Sequence, residues 1–326
     1  MQGLELAVAF YHERLLPEIT ETLGQPAIDC IAAGLVGEGS ECFGYDDEFS
    51  RDHNWGPACC IWLTDADYDT YGTTLTDIYN RAAATEFAGF PPRIDDAMSA
   101  GRVGVMRASD FYRRHLGAAA RPKTLDDWRR IPEDALATVT NGRVFADAPG
   151  KFSALRAALL ADYPDDMRYK RLAAAATKTA QAGQYNLPRA VLRGDAVTAA
   201  TVLATFIDQA QTLVYTLNRR FKPYFKWAQR GMYDLPRAGR ETADALLAMT
   251  EQYATWRTND AVAASQSASD RIMQAADAVA AIILAEFKTE GLADPDSDEL
   301  WLIAHVPTIT AHIADPAYAA LHPMTV

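Results

Sequence analysis

The sequence has few cysteines, and their spacing excludes the common cysteine-based sites. The 326 residues include only Cys30, Cys42, Cys59 and Cys60, and no two of them form a Cys-x-x-Cys pair. Zinc ribbons and thioredoxin-like redox motifs depend on that spacing. His305 and His312 have no partner cysteines at zinc-like intervals, so they add no metal site. We therefore interpret the four thiols as buried and unreactive.

Long hydrophobic runs are also missing. The longest apolar stretches are residues 27–36 and 58–63, and a helix needs about 20 apolar residues to cross a bilayer. The first residues lack the basic, apolar and small-residue order of a signal peptide. Together with the low cysteine content, these features predict a cytoplasmic protein with no membrane partner.

Positive charge is scarce, but it is concentrated in one place. The chain has 31 Lys and Arg against 43 Asp and Glu, a net charge of -12, which argues against a protein that coats nucleic acid. The basic segment, residues 168–240, has thirteen Lys and Arg against three Asp and Glu, a balance of +10. Such a segment is typical both of a solvated helix face and of a site for a polyanion.

Hydrophobic periodicity changes along the chain. Residues 27–36, 58–63 and 102–106 read as strands, the first of them mostly buried, and helical patterns lie between and around them. These include a helix near the N-terminus that Pro17 kinks or interrupts, one over residues 75–87, and one that Ser109 caps and Gly117 ends.

After Thr124 only helical patterns remain, and the longest cover residues 196–220 and 264–288. The fold class expected is therefore α+β. Residues 1–120 are predicted to form a mixed sheet with helices, and residues 121–326 an all-α helical domain.

The connection between the first two predicted strands is long for a compact unit. Such loops are often functional. Gly37, Gly39 and Ser40 would let backbone N–H groups approach an anion, and the serine hydroxyl would add a donor. A glycine pair alone is more typical of an ordinary turn.

Asp52 and Asn54 follow in the same connection. Residues i and i+2 of an extended segment project to the same side, so both oxygens would reach one Mg²⁺ or Mn²⁺ ion. His53 would then point to the opposite side, which favours an orienting role. A metal between these oxygens and the phosphates of a nucleoside triphosphate would stabilise departing pyrophosphate.

These residues carry a family resemblance. A strand, then Gly39-Ser40, then about ten residues and Asp-x-Asn at the next strand resembles the signature of the nucleotidyltransferase superfamily with the polymerase-beta-like fold. Residues 34–57 resemble more closely the bacterial family called domain of unknown function 4037. The similarity continues through shorter motifs at residues 102–105, 137–145, 163–166, 183–186 and 217–227. It implies a nucleotidyltransferase-like domain followed by helices.

The chain departs from the family pattern at one position. The pattern has Asp-His-Asp where this chain has Asp52-His53-Asn54, so a neutral amide replaces the second metal-binding carboxylate. Asp46, Asp47 and Glu48 are the nearest substitutes, although loop acids more often serve solubility.

Candidate ligand contacts also lie in the second half. Lys222 and Lys226 would neutralise the triphosphate, and Tyr224 or Trp227 would stack on the base. The acceptor would lie in a cleft between the domains, lined by residues around a proline break. These are Tyr185, Asn186 and Arg189.

Three functions follow as hypotheses. The first is Mg²⁺-dependent transfer of a nucleoside monophosphate from a nucleoside triphosphate, ATP being expected, to a hydroxyl of a small-molecule, protein or RNA acceptor. The second is a nucleotide-binding regulatory or partner protein in which Asn54 impairs catalysis. The third is a helical interaction module whose first domain is vestigial. Oligomeric state is open.

Overall fold

The chain folds into two compact units, Met1–Asp162 and Tyr163–Val326. The structure is a computed structural model and describes residues 1–94, 100–161, 163–258 and 266–324. The first unit extends past the 1–120 range predicted for the N-terminal domain, because a strand beyond residue 140 belongs to its sheet.

The first unit is built on a mixed four-stranded sheet. Its strands are β1 (Ala32–Leu35), β2 (Cys60–Leu63), β3 (Gly104–Arg107) and β4 (Arg143–Asp147). Their order is β3-β2-β1-β4; β1 is antiparallel to β2 and to β4, whereas β2 and β3 are parallel. The α+β class is confirmed.

Two strand predictions need correction. The first predicted strand is too long, because residues Gln25–Ile28 form a short helix after Gly24 leaves the helical region at φ 70°, and Pro26 suits a first helical turn. The expectation that only helices follow Thr124 is wrong. β4 was missed because a five-residue strand next to Asn141-Gly142 looks like a turn between helices.

Helices cover both faces of this sheet. The helices of the first unit are α1 (Gly3–Phe10), α2 (Leu16–Leu23), α3 (Gln25–Ile28), α4 (Ser40–Phe43), α5 (Asp65–Ala83), α6 (Ala108–Leu116), α7 (Leu125–Arg129), α8 (Glu133–Thr140) and α9 (Lys151–Ala161). On one face, Phe10 and Tyr79 pack edge to face in the main core. On the other, Trp62 of β2 stacks on Phe152 of α9 with ring centroids 3.9 Å apart.

The observed starts and ends of the helices agree only in part with those predicted from the sequence. Pro17 does not interrupt the N-terminal helix. A π-helical turn, Tyr11–Leu15, precedes it, and Pro17 lies in the first turn of α2, where a missing N–H is tolerated. α5 begins ten residues earlier than predicted, where Thr64 accepts the Asp67 N–H at 3.3 Å as an N-cap. Ser109 does not cap α6, although Gly117 ends it as expected.

The second unit consists of helices and loops in the part of it that the structure describes. Its helices are α10 (Asp165–Thr179), α11 (Leu187–Leu192), α12 (Ala196–Leu217), α13 (Phe225–Met232), α14 (Gly239–Thr258), α15 (Gln266–Thr289), α16 (Val306–Thr310) and α17 (Pro316–Ala319). α12 and α15 match the two long helices predicted, except that residues 264 and 265 lie outside the described residues. Phe206 and Phe287 are fully buried in its core.

The prediction of buried thiols is confirmed for three of the four cysteines. Cys42, Cys59 and Cys60 are buried free thiols, and Cys30 is half-buried. Desolvation raises the pKa of Cys60 to about 12, so the thiol stays uncharged. Among the residues described, none of the helices combines the length and apolar character needed to cross a bilayer.

Candidate functional site

The glycine turn, residues 37–40, leaves the buried end of β1. Gly37 has φ 139° and Gly39 has φ 118°, values that disfavour a side chain. Asn141 fixes this turn from the start of β4: its Oδ1 accepts the Gly37 N–H at 3.0 Å, and its Nδ2 donates to the Gly37 carbonyl at 2.8 Å. A polar side chain therefore holds the turn in one conformation.

A carboxylate of the chain itself lies against this turn. A Cβ on Gly39 would stand 2.5 Å and 2.7 Å from the two carboxylate oxygens of Glu41, so Gly39 is required for that close approach. Glu41 is 5% exposed and pairs with Arg93 at 3.2 Å. Desolvation raises the pKa of the Glu41 carboxyl, and the Arg93 charge opposes the shift. Sequence reasoning assigned Gly39 to phosphate binding alone.

The raised pKa of Glu41 predicts a pH dependence of stability. The folded state holds the Glu41 proton to higher pH than the unfolded chain does, so the free energy of unfolding should fall as pH rises through the folded pKa. The Glu41→Gln variant has no carboxyl group at this position, so its free energy of unfolding should not show this fall. Denaturant unfolding at steps from about pH 4 to 7 measures the difference between the two proteins.

The exposed Glu48→Gln variant, in the same connection, controls for the loss of one negative charge. A wild-type minus Glu41→Gln difference that stayed flat or rose with pH would contradict the assignment.

Asp52, His53 and Asn54 do not form the extended segment that was predicted. A short 3₁₀ turn, Phe49–Arg51, precedes them, Asp52 has helical φ and ψ of -69° and -31°, and Asn54 has φ 54°. The expected alternation of Asp52, His53 and Asn54 is therefore absent, because it requires an extended backbone. His53 Nδ1 lies 2.7 Å from Asp52 Oδ1, so the histidine is beside the carboxylate instead of opposite to it.

The acids suggested as substitutes have structural partners. One Asp46 carboxylate oxygen accepts from the Gly3 N–H at 2.8 Å and from the Trp55 indole at 3.0 Å, which ties the connection to the start of α1. Asp47 accepts the backbone N–H and the hydroxyl of Ser50, both at 3.0 Å. Glu48 is exposed.

The arrangement does not fit a preformed Mg²⁺ site. Asp52 is 67% exposed and engaged with His53, and the left-handed backbone at Asn54 breaks the alternation that would align the two side chains. Within the described ranges, no three His, Cys, Asp or Glu side chains come together as metal ligands. Asp147 of β4 pairs with Ala32, at the end of β1 away from the glycine turn.

The two lysines proposed as ligand contacts, Lys222 and Lys226, differ in availability. Lys222 is 12% exposed, and its ammonium donates to the Asp208 carboxylate at 2.7 Å, the Asp208 carbonyl at 3.0 Å and the Thr212 hydroxyl at 2.7 Å. These three acceptors use all of its protons. Lys226 is exposed, and its ammonium lies 5.3 Å from the Trp227 ring centroid.

Tyr185, Asn186 and Arg189 are exposed and close in sequence. Tyr185 and Asn186 end a π-helical segment, Ala180–Asn186, a conformation found often at functional sites. The Arg189 guanidinium stacks 3.5 Å from the Tyr185 ring centroid and donates to the Tyr185 carbonyl at 2.8 Å. The three residues therefore form one polar surface on the second unit.

Part of the charge of the basic segment is neutralised by acids of the same unit that lie outside the segment. Such partners are found for Arg168 with Glu290, Arg219 with Asp165, and Arg237 with Glu286 and Glu290. The solvated or structural interpretation thus accounts for these arginines, and the excess charge is smaller than the sequence balance suggests.

Sequence reasoning missed charged residues beside the glycine turn. Glu38 Oε2 lies 2.8 Å from Arg102 Nε, and Glu38 Oε1 lies 3.9 Å from an Arg114 nitrogen. Arg102 precedes β3 and Arg114 lies on α6, more than sixty residues along the chain from Glu38. Such a cluster depends on the sheet order, and only the charge of each residue was visible in advance.

Comparison with known proteins gives one match. The model of the family described as Domain of unknown function (DUF4037) matches residues 128–228, about a third of the chain. A search of curated proteins and a search of solved structures each found no match. The matched span includes Asn141, Tyr185, Asn186, Arg189, Lys222 and Lys226, but not the glycine turn. Residues 128–228 of this chain therefore match the DUF4037 family.

Proposed function

We propose that the first unit binds the phosphates of a nucleoside triphosphate, with ATP as the first ligand to test, and that the protein is a nucleotide-binding regulatory or partner protein. The observation that carries this proposal is the glycine turn at the end of β1, which Asn141 fixes through two hydrogen bonds. At Gly37 a Cβ would meet the Phe111 ring at 3.8 Å, so an anion can approach the turn from that side, whereas the Glu41 carboxylate occupies the space beside Gly39.

The mixed sheet, and the resemblance of the pattern from Gly39-Ser40 to Asp52 and Asn54 to the nucleotidyltransferase signature, support a nucleotide as the anion. Ser40 ends the turn and is 7% exposed, and its hydroxyl would add a donor beside the backbone N–H groups. We expect weak catalysis because of the conformation and charge of the segment from Asp52 to Asn54. Asn54 brings no charge, and its backbone does not align it with Asp52.

A second candidate is nucleotidyl transfer to a hydroxyl of an acceptor, with Mg²⁺ or Mn²⁺ as the expected ion. The observation that favours it is the exposure of Asp52, whose carboxylate is 67% exposed and pairs with the neighbouring His53, so a ligand can recruit it. Lys226 and the Tyr185, Asn186 and Arg189 surface belong to the second unit, and their contacts with the triphosphate or the acceptor stay predictions.

Calorimetric titration of the full chain with ATP tests the first proposal. We expect saturable binding, and Asn141→Ala should weaken it by about tenfold, because the loss of two hydrogen bonds frees the turn. Asn80→Ala, an exposed asparagine on α5, is the matched control and should bind like the wild type. Absence of ATP binding to the wild type would refute the proposal.

Pyrophosphate release separates the two candidates. With ATP, Mg²⁺ or Mn²⁺ and a cell extract as the source of acceptor, the wild type should show little release, and Asn54→Asp should increase it. Rapid release by the wild type would establish transfer in place of a regulatory role. If Asn54→Asp binds ATP but releases no pyrophosphate, the second candidate fails.

A further inference from the structure

Three segments of the chain bring charged side chains to the end of the sheet where the glycine turn follows β1. α6 lies beside the turn, because a Cβ on Gly37 would stand 3.8 Å from the Phe111 ring, and Arg114 is one helical turn further along. The backbone of Arg102 lies at the same end of the sheet. The Cys60 thiol donates to the Arg102 carbonyl at 3.2 Å and lies 3.9 Å from the carbonyl oxygen of Val36, the residue before the turn.

The charges in this cluster do not cancel. Two guanidinium groups, of Arg102 and Arg114, share the single carboxylate of Glu38, at 2.8 Å and 3.9 Å. The side chains are 25%, 38% and 36% exposed, respectively, so the cluster is open to solutes. A net charge of +1 therefore remains beside the turn in a chain whose overall charge is -12.

The ion pair is poorly formed for a structural contact. Strong arginine–carboxylate pairs use two parallel N–H donors, whereas Arg102 approaches Glu38 through Nε only, and Arg114 is too distant for a hydrogen bond. The Arg102 Nε–H, although buried, makes no hydrogen bond to the residues described. Partly exposed pairs of this kind contribute little to stability, so a multivalent anion can displace the carboxylate.

We propose that Arg102 and Arg114 form the anion subsite of the first unit, and that Glu38 is an internal counter-ion that an oligophosphate displaces. The inference rests on the proposed function in one respect: the oligophosphate is taken to be that of the nucleotide. Guanidinium groups suit this ligand because their planar donors match phosphate oxygens in pairs. The subsite places the positive charge on the same unit as the glycine turn.

The sign of the Glu38 effect distinguishes this subsite from a structural ion pair. If the carboxylate competes with the ligand, Glu38→Gln should bind oligophosphate more tightly than the wild type, because the competing charge is removed while the amide keeps the shape. If Glu38 only positions the arginines, the same substitution should weaken binding or leave it unchanged.

The experiment is calorimetric titration of the full chain with tripolyphosphate and, separately, with ATP at constant ionic strength. Arg102→Gln and Arg114→Gln should each weaken binding by about tenfold, the effect of one charge-assisted contact. Glu38→Gln should tighten it severalfold. The control is Arg113→Gln on α6, whose guanidinium pairs with the exposed Asp110 at 2.6 Å and should not affect binding. Circular dichroism checks that each variant folds.

The outcomes separate the two proposals. ATP binding that is unchanged in Arg102→Gln and Arg114→Gln, with no tightening in Glu38→Gln, would overturn the subsite and leave the proposed function intact. Tripolyphosphate binding with the expected variant pattern, but without ATP binding, would support the subsite and refute the nucleotide. No binding of either ligand by the wild type or by Glu38→Gln would refute both. If an arginine variant fails to fold, the Glu38→Gln comparison still decides.

Discussion

Gly142→Ala should destabilise the first unit by about 2–5 kcal/mol, although it adds a single methyl group. Gly142 has φ 63°, which a side chain disfavours, and a Cβ there would overlap the carbonyl oxygen of Leu35 and lie 3.0 Å from its carbonyl carbon. Both obstacles are backbone atoms of β1, which is hydrogen-bonded on both sides and cannot move without loss of strand pairing. The change should also move Asn141 and weaken ATP binding.

Gly150→Ala is the matched control. Gly150 has a similar φ of 68° and follows the other end of β4, but a Cβ there would meet nothing within 4 Å. It should therefore show only the conformational cost of about 1 kcal/mol. Denaturant unfolding measures both variants, and hydrogen exchange locates the change to β1 and β4. Equal costs for the two substitutions would contradict the close approach of β4 to β1.

Glu290→Ala should destabilise the second unit by about 3–5 kcal/mol. One Glu290 oxygen pairs with Arg168 at 2.5 Å and the other with Arg237 at 2.6 Å. Arg168 is 3% exposed, and without Glu290 its remaining hydrogen bond in the described part of the unit is from Nε to the Thr216 carbonyl at 3.1 Å. A buried guanidinium without a counter-ion is costly because water no longer solvates it.

Arg219→Ala gives the comparison in the same unit. Arg219 pairs with Asp165 at 2.8 Å, but both side chains are 59% exposed, so the expected cost is about 0–1 kcal/mol. Thermal and denaturant unfolding provide the measurements. If Glu290→Ala were as mild as Arg219→Ala, the Arg168 site would have to be hydrated in solution.

The strongest hydrophobic patterns predicted the corresponding elements well. β2 lies inside the predicted residues 58–63, and α12 begins at the predicted residue, because continuous apolar runs and long amphipathic stripes are local properties. β4 was missed for the opposite reason. Its five residues are half-buried or exposed, and its strand conformation depends on pairing with β1 more than a hundred residues earlier.

The candidate site shows the same division. Gly37 and Gly39 were identified because a pair of closely spaced glycines is visible in the sequence, and both have positive φ in the structure. The extended backbone assumed for Asp52 and Asn54 was wrong, because the conformation there is set by a 3₁₀ turn and by the hydrogen bond from the Asn54 N–H to the Ile94 carbonyl at 3.1 Å. That bond joins residues forty positions apart, which no local pattern reveals.

Composition and short-range periodicity were enough to predict four features: the α+β class, the position of the glycine turn, the burial of three of the four cysteines, and the helical character of the second unit. The three-dimensional fold was needed to show which charges act together. The Glu41 carboxylate lies against Gly39, and the Lys222 ammonium donates to Asp208 of α12. The guanidinium groups of Arg102 and Arg114 both lie near the Glu38 carboxylate. Electrostatic interactions act over a few ångströms in space, and the order of the strands, which the sequence does not display, determines which side chains lie within that distance.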